Sequence, residues 1–430
     1  MSTETTGTTG TTGTTGTTGT TGRTDPIRTT GTTDRTGPTD APPFPGHPVG
    51  AEATPPDGTG AGAPRGRTRD RYLDLLRALA LLRVMVYHVF GWAWLTVVFP
   101  SMGVMFALAG ALTARSLQRP GGTARKVVAS RVRRLLPPLW AFSAVLLGVL
   151  FLGFGWRPEG VWGWTGMLDY LVPVGAPPYP EEVGSESGLL DATWVMEGAG
   201  PLWYLRAYLW FVVASPLLLR LFRRAPWPTL LAPLALTGVF GTGLVEIPGE
   251  TGEVVKDFCV YGSCWILGFA HENGALARVP RYVSVSAASA MMALGLWWAS
   301  GHQGEDRWDL NDIAPAQALW SLGFVVVLLV YAPVWTELPG RLRRFDGLVT
   351  LANNRAVTVY LWHNLLITLT FPLLDLFGVG EAWSLPGSFL LLLPLLALVV
   401  LAFGWVEDVA AGRRIRPWPT GRTRRRSAVR

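Results

Sequence analysis

Charge is scarce in this chain: 16% of its 430 residues are charged, against 49% hydrophobic, and the mean hydropathy is positive. Soluble domains carry about a quarter charged residues, so the shortage excludes an ordinary globule and points to a membrane-embedded chain. Cysteine is scarcer still. Cys259 and Cys264, five apart inside one apolar run, fall on different faces of a helix and support neither a disulfide framework nor a zinc site. Also missing are a Gly-rich nucleotide loop, a serine-elbow motif, a metal-ligand cluster, and any H-x-x-x-x-D motif after His88 or His363. The first seventy residues lack the apolar core of a signal peptide. They open TTGTTGTTGTTGTTG and stay rich in Pro and Gly to about Gly66, so a disordered low-complexity cytoplasmic tail is expected over 1–70.

What the chain has instead is apolar runs of roughly the ~20 residues a helical span requires. They lie near 72–94, 95–114, 137–155, 199–219, 228–243, 255–270, 282–300, 314–336, 347–372 and 384–406. The expected fold class is all-α: a polytopic integral membrane protein of about ten transmembrane helices, with its membrane domain over 71–410. Loop charge orients it. The connections 115–136, 220–227, 271–281 and 337–346 hold fifteen Lys and Arg, whereas 156–198, 244–254, 301–313 and 373–383 hold Arg157 and Arg307 against sixteen acids. By the positive-inside rule the first set is cytoplasmic and the second external, which puts both termini inside a plasma-membrane protein. The net charge of +7 and pI near 9.7 then read as topology signals, not as a nucleic-acid surface. The basic tail over 411–430, with GRRIRPWPTGRTRRRSAVR, suits anionic lipid headgroups, nucleic acid being the weaker alternative.

The first run, YLDLLRALALLRVMVYHV, carries charges that a simple span does not need. On a helix Arg77 and His88 differ by only about 20°, and Asp74 lies about 40–60° away, so the three form a stripe. Along the axis His88 is roughly 16 Å beyond Arg77. Asp74 and Arg77 stand at the cytoplasmic end, either as a structural ion pair or to hold a charged ligand. Arg83 falls nearly opposite the stripe and about mid-membrane, where a cation must face a neighbouring helix or a water-filled cavity.

Here a resemblance enters. The order R-Y-L-D-L-L-R-A-L-A followed by Y-H is similar to the opening signature of the acyltransferase-3 family, membrane O-acyltransferases of bacterial surface glycans and glycosylated metabolites. SMGVMFALAGALTARSL resembles the family's second span, SRVRRLLPPLW its R-x-x-R-[IL]-x-P pattern at Arg131, Arg134 and Pro137, GPLWYLRAYLWFVVASPLLL its fourth span, and VYLWHNLLI its late Tyr-Leu-x-His segment. The resemblance covers about 70–410 in the family's order. Three positions depart: Arg83 stands at a usually apolar place, Ala109 where serine is common, and Tyr208 where one branch has a glutamate.

The resemblance implies an O-acyltransferase with His88 as general base, a role for which histidine's unperturbed pKa near neutrality suits it. Glu197 is the candidate carboxylate partner, since Asp74 is about 21 Å away along the same helix. His363 lies sixteen residues into the ninth run, as His88 does into the first, so both should sit about 24 Å from the cytoplasmic side. Trp203 and Tyr204 in the fourth run reach a similar level. His363 would orient the acceptor, polarise the acyl carbonyl, or be structural. With no bound cofactor expected, acyl-CoA, acetyl-CoA in the first instance, is the expected co-substrate, its phosphates held by Arg77, Lys126, Arg131 and Arg134. The alternative for this loop is a plain positive-inside anchor. Trp203, Tyr204 and Asp74 are expected substrate contacts for a carbohydrate or glycosylated acceptor, and the Trp-rich loop 156–198 offers either sugar stacking or a membrane belt. A rival function is a transporter or flippase with an Asp/Arg/His path. Neither an internal two-half repeat nor broken helix pairs support it, and the R-x-x-R-L-x-P signature is unexplained by transport.

Overall fold

A computed structural model describes residues 70–175, 177–178, 192–303 and 308–418. The expected tail up to position 69, the end of the basic tail from 419, and the loop acids within 179–191 and 304–307 lie outside them. The described chain is helical and, among the described residues, contains no strand. Its α-helices are α1 (Arg71–Phe90), α2 (Trp94–Val98), α3 (Ser101–Gln118), α4 (Ala124–Gly148), α5 (Gly160–Gly166), α6 (Ala192–Ala199), α7 (Leu202–Arg224), α8 (Pro226–Gly241), α9 (Gly249–Glu272), α10 (Arg281–Gly301), α11 (Ala314–Val330), α12 (Asp346–Asn354), α13 (Ala356–Leu376) and α14 (Ser384–Ala410).

Each apolar run of the sequence overlaps a helix, the eighth being helical only to Val330. The stretches Trp94–Gln118, Ala124–Gly153, Met196–Arg224, Arg281–Gly301, Ala356–Leu376 and Ser384–Ala410 are long and apolar enough to cross a membrane; α11 is apolar but shorter. This is a helical membrane protein. Two runs differ from expectation in shape. The second starts as the short α2 and restarts after Pro100, which cannot continue a helix from its own N–H. The ninth is not one helix: α12 stops at Arg355, whose backbone (φ −119°, ψ 19°) leaves the helical region before α13 begins. Asn353 and Asn354 are weak helix formers, and Arg355 is fully buried against Asp408 of α14 at 2.7 Å, so packing favours the break.

Local chemistry sets the limits of α1. Asp70 accepts the N–H of Tyr72 at 3.0 Å, capping the start, and Gly91 ends the helix in the left-handed region at φ 61°. The bundle's tightest seam joins α3 to α9. A Cβ on Gly110 would meet the Trp265 carbonyl oxygen at 2.1 Å, and one on Gly268 the Ala107 carbonyl oxygen at 2.2 Å. Backbone therefore lies on backbone there, the close approach that small residues permit between membrane helices. Around this seam the core is aromatic and aliphatic, with Phe106, Phe142, Phe211, Trp265 and Leu361 fully buried.

Polar ties fasten the two ends of the bundle. At one end Arg71 bonds Asp74 at 3.0 Å and also pairs with Asp346, Arg115 grips Glu272 through two bonds of 3.0 and 2.8 Å, and Arg413 reaches Asp408 at 3.3 Å. These ties join the ends of α3 and α9, and the start of α1 to the connection after α11, while Arg413 also reaches Asn354 at the end of α12 at 2.8 Å. At the other end Tyr87 donates to Asp309, Thr96 Oγ1 accepts the Leu310 N–H at 3.2 Å, and the Trp320 indole donates to the Val97 carbonyl at 2.8 Å.

Candidate active site

α1 and α13 run side by side and bring the two expected histidines together. The rings of His88 and His363 meet edge to face, centroids 5.0 Å apart. The count of sixteen residues that predicted a shared depth crosses the break at Arg355, yet the shared depth itself is found. The His88 Nδ1–H donates to the Val84 carbonyl at 2.8 Å, and the His363 Nδ1–H to the Tyr360 carbonyl at 2.5 Å. A carbonyl only accepts, so each neutral ring carries its free lone pair on Nε2. The two histidines differ in access: His88 is exposed, whereas His363 is 1% exposed, with no partner for Nε2 among the described residues.

Both line a cavity of about 490 Å³, together with Glu197, Trp203, Asn364 and Arg83. Glu197, carried on α6, accepts a hydrogen bond from Asn364 Nδ2 at 3.2 Å, so its contact is Asn364 and not His88. Trp203 stacks on Tyr261 at 5.8 Å and presents an aromatic face to the cavity. Arg83 reaches the same space despite its position on the far side of the stripe. Its Nε donates to the Leu95 carbonyl at 3.3 Å, and its guanidinium lies 4.7 Å from the centre of the Tyr87 ring. A long flexible side chain can cover that angular distance.

A second cavity of about 410 Å³ lies towards the basic end, lined by Arg77, Arg131, Arg134, Tyr204, Tyr208 and Arg413 among others. Three of the four expected phosphate-binding residues thus converge. The fourth, Lys126, is exposed in the first turn of α4 and is not among the lining residues. Arg77 is held in place by Asn353 Oδ1 at 3.0 Å, and Asn353 is fixed by donating to the carbonyls of Asp74 and Val349, each at 2.8 Å. Arg131 donates to Ser116 Oγ at 3.3 Å. Asp74 is buried, with Arg71 as its close partner and Arg77 at 3.9 Å, and it lines neither cavity. Tyr204 lines this second cavity, apart from its neighbour Trp203.

Tyr360 lines both cavities. It is buried, its ring 5.0 Å from Tyr204 on one side and 5.4 Å from His363 on the other. Sequence reasoning did not single out Tyr360, Asn353, Asn364 or Arg413. Tyr360 and Asn364 flank His363 in VYLWHN, and Asn353 opens a polar Asn-Asn-Arg triplet inside an apolar run, so each had a visible signal. The three positions that depart from the family pattern all line cavities: Arg83 the one with the histidines, Ala109 and Tyr208 the one with the arginines. Within the Trp-rich loop, Trp156 and Trp164 gather on Phe151, at 6.0 and 6.2 Å, and neither lines the histidine cavity. Its residues 176 and 179–191 lie outside the described ones.

Comparison with known proteins adds an independent finding. The family described as an acyltransferase domain matches residues 70–406. Nodulation protein 10 of Rhizobium leguminosarum bv. viciae is 24% identical over 344 residues, which cover 72% of this chain and 85% of that protein. No solved structure matches the chain.

Proposed function

The chain belongs to the acyltransferase-3 family and is a membrane acyltransferase, and from that premise we propose that it transfers an acyl group, acetyl in the first instance, from cytoplasmic acyl-CoA to a hydroxyl of a carbohydrate or glycosylated acceptor. The observation that carries the reading is the pair of cavities meeting at Tyr360, one lined by Arg77, Arg131 and Arg134 and the other by His88 and His363. Guanidinium groups suit the phosphates of the donor, and paired hydrogen bonds make arginine better at this than lysine. The donor's thioester arm extends past Tyr204 and Tyr360 towards the histidines. The acceptor enters the other cavity, where Trp203 offers a face for a sugar ring.

In the reaction the acceptor hydroxyl gives its proton to His88 Nε2 as its oxygen attacks the thioester carbonyl. The tetrahedral intermediate collapses with cleavage of the carbon–sulfur bond, and the proton on His88 passes to the departing thiolate. His363, whose Nε2 is an acceptor in the observed hydrogen-bonding pattern, is suited to receive a hydroxyl hydrogen bond and so to orient the acceptor; polarising the carbonyl would need an N–H at that atom. Glu197 holds Asn364 beside it and acts as a positioning group.

The test is turnover of labelled acetyl-CoA by membranes containing wild type, His88→Ala or Arg134→Ala. His88→Ala is expected to lose about a hundredfold or more of transfer, the usual range for a general base. Arg134→Ala is expected to raise KM for the donor. Full transfer by the His88 variant overturns the mechanism.

A further inference from the structure

The histidine cavity holds more charge than acyl transfer requires, and most of it is internally matched. Lys256 lies 3.6 Å from Glu253. Asp257 is bound by Arg206 at 2.9 Å, whereas Glu197 is held by a hydrogen bond from the neutral Asn364 amide. Arg83 is the cation left without a partner: among the described residues it forms no ion pair, its polar contact being the Leu95 carbonyl bonded by Nε. The Tyr87 ring beneath it is turned into a better cation seat by donating its hydroxyl to Asp309, whose carboxylate acts on Arg83 at a distance and not as an ion pair. Both Nη groups, four N–H donors in a planar fork, are left for the cavity.

A cation in a membrane helix is costly unless it is matched, and such residues mark ligand sites. From this geometry, and resting on the acyltransferase reading above, we infer that Arg83 binds an anionic group of the acceptor, a carboxylate or a phosphate, while His88 addresses the hydroxyl to be acylated. Arg83 and His88 are five residues apart on α1, about 7.5 Å along its axis, and both side chains line the same cavity, so one charged acceptor can meet both. The anion would pair with the planar guanidinium through two parallel hydrogen bonds, fixing the orientation of the ring to which it is attached. The acid could belong to the sugar itself or to the phosphate that links a glycan to a lipid; both present the same oxygens to Arg83.

The experiment is a thermal-shift titration of the purified full chain with methyl glucuronoside, glucose 1-phosphate and methyl glucoside at matched ionic strength. Wild type is expected to be stabilised by a charged probe and not by methyl glucoside, the carboxylate or phosphate arm identifying the source of the anion. Arg83→Gln is expected to weaken charged-probe binding about tenfold or more, and Arg83→Lys, which keeps the charge but not the fork, by less. His88→Ala is expected to keep charged-probe binding while losing transfer from acetyl-CoA, so failure of the catalytic reading and failure of the anion site give different results. Equal stabilisation by charged and neutral probes, no stabilisation by either charged probe, or unchanged binding in both Arg83 variants overturns the inference.

Discussion

The site rests on hydrogen bonds that fix which atom of each side chain faces the cavity. In both histidines a main-chain carbonyl occupies Nδ1 and leaves Nε2 as the working nitrogen, and in both that carbonyl lies within four residues on the same helix. Asn364 is held from outside its helix, by Glu197, 167 residues earlier in the chain. Asn364→Asp would set carboxylate against carboxylate in place of that bond. The expected outcome is a loss of about 1–3 kcal/mol of stability, read as a lower thermal midpoint, with Glu197→Gln in the same chain restoring it. The split between local and distant partners also explains what the sequence showed. His88, His363, Arg131 and Arg134 stand out as polar residues in recognisable apolar contexts. The Glu197–Asn364 contact and the placement of Trp203 and Tyr204 in separate cavities depend on packing between helices, which no local pattern records.

At the scale of elements, the α3–α9 seam governs how closely the bundle closes behind the arginine cavity, since Ala109 and Leu112 of α3 line it. Gly110→Ala would place a methyl group against a backbone carbonyl that cannot turn aside. Its expected cost is about 3 kcal/mol or more, at the upper end of overpacking effects. Gly148→Ala in α4, where an added Cβ meets nothing within 4 Å, is the control and should be neutral or slightly stabilising. Comparing folded yield and thermal midpoint of the two variants checks this. The helices themselves were legible because each apolar run must satisfy its backbone internally in a membrane, and helix is the available way. The break at Arg355 was not legible from hydropathy: the apolar run continues through it, and the interruption is stabilised by the buried pair with Asp408 of a helix 53 residues away.

For the whole molecule, the ties of Arg115 to Glu272 and of Arg71 to Asp346 place the connections after α3 and α9 together, and the start of α1 beside the connection after α11. The assignment of the basic connections to the cytoplasm is a proposal from the positive-inside rule. Single cysteines at Arg341 and His302, both exposed, test it, since the native Cys259 and Cys264 are buried and should stay silent. A membrane-impermeant maleimide added to intact cells is expected to label position 302 and to reach position 341 only after the membrane is opened. The opposite pattern would invert the proposed direction of transfer.

The partition at Tyr360 has a consequence for the energetics of the cell. Under the proposed reaction, the acyl group passes Tyr360 outward as the equivalent of an acylium ion. The hydroxyl proton that it replaces returns inward on the sulfur of the thiol. The two movements carry equal charge in opposite directions, so the exchange is electroneutral. The membrane voltage then neither drives nor opposes it, and the thioester bond alone supplies the free energy for decorating a molecule on the far side.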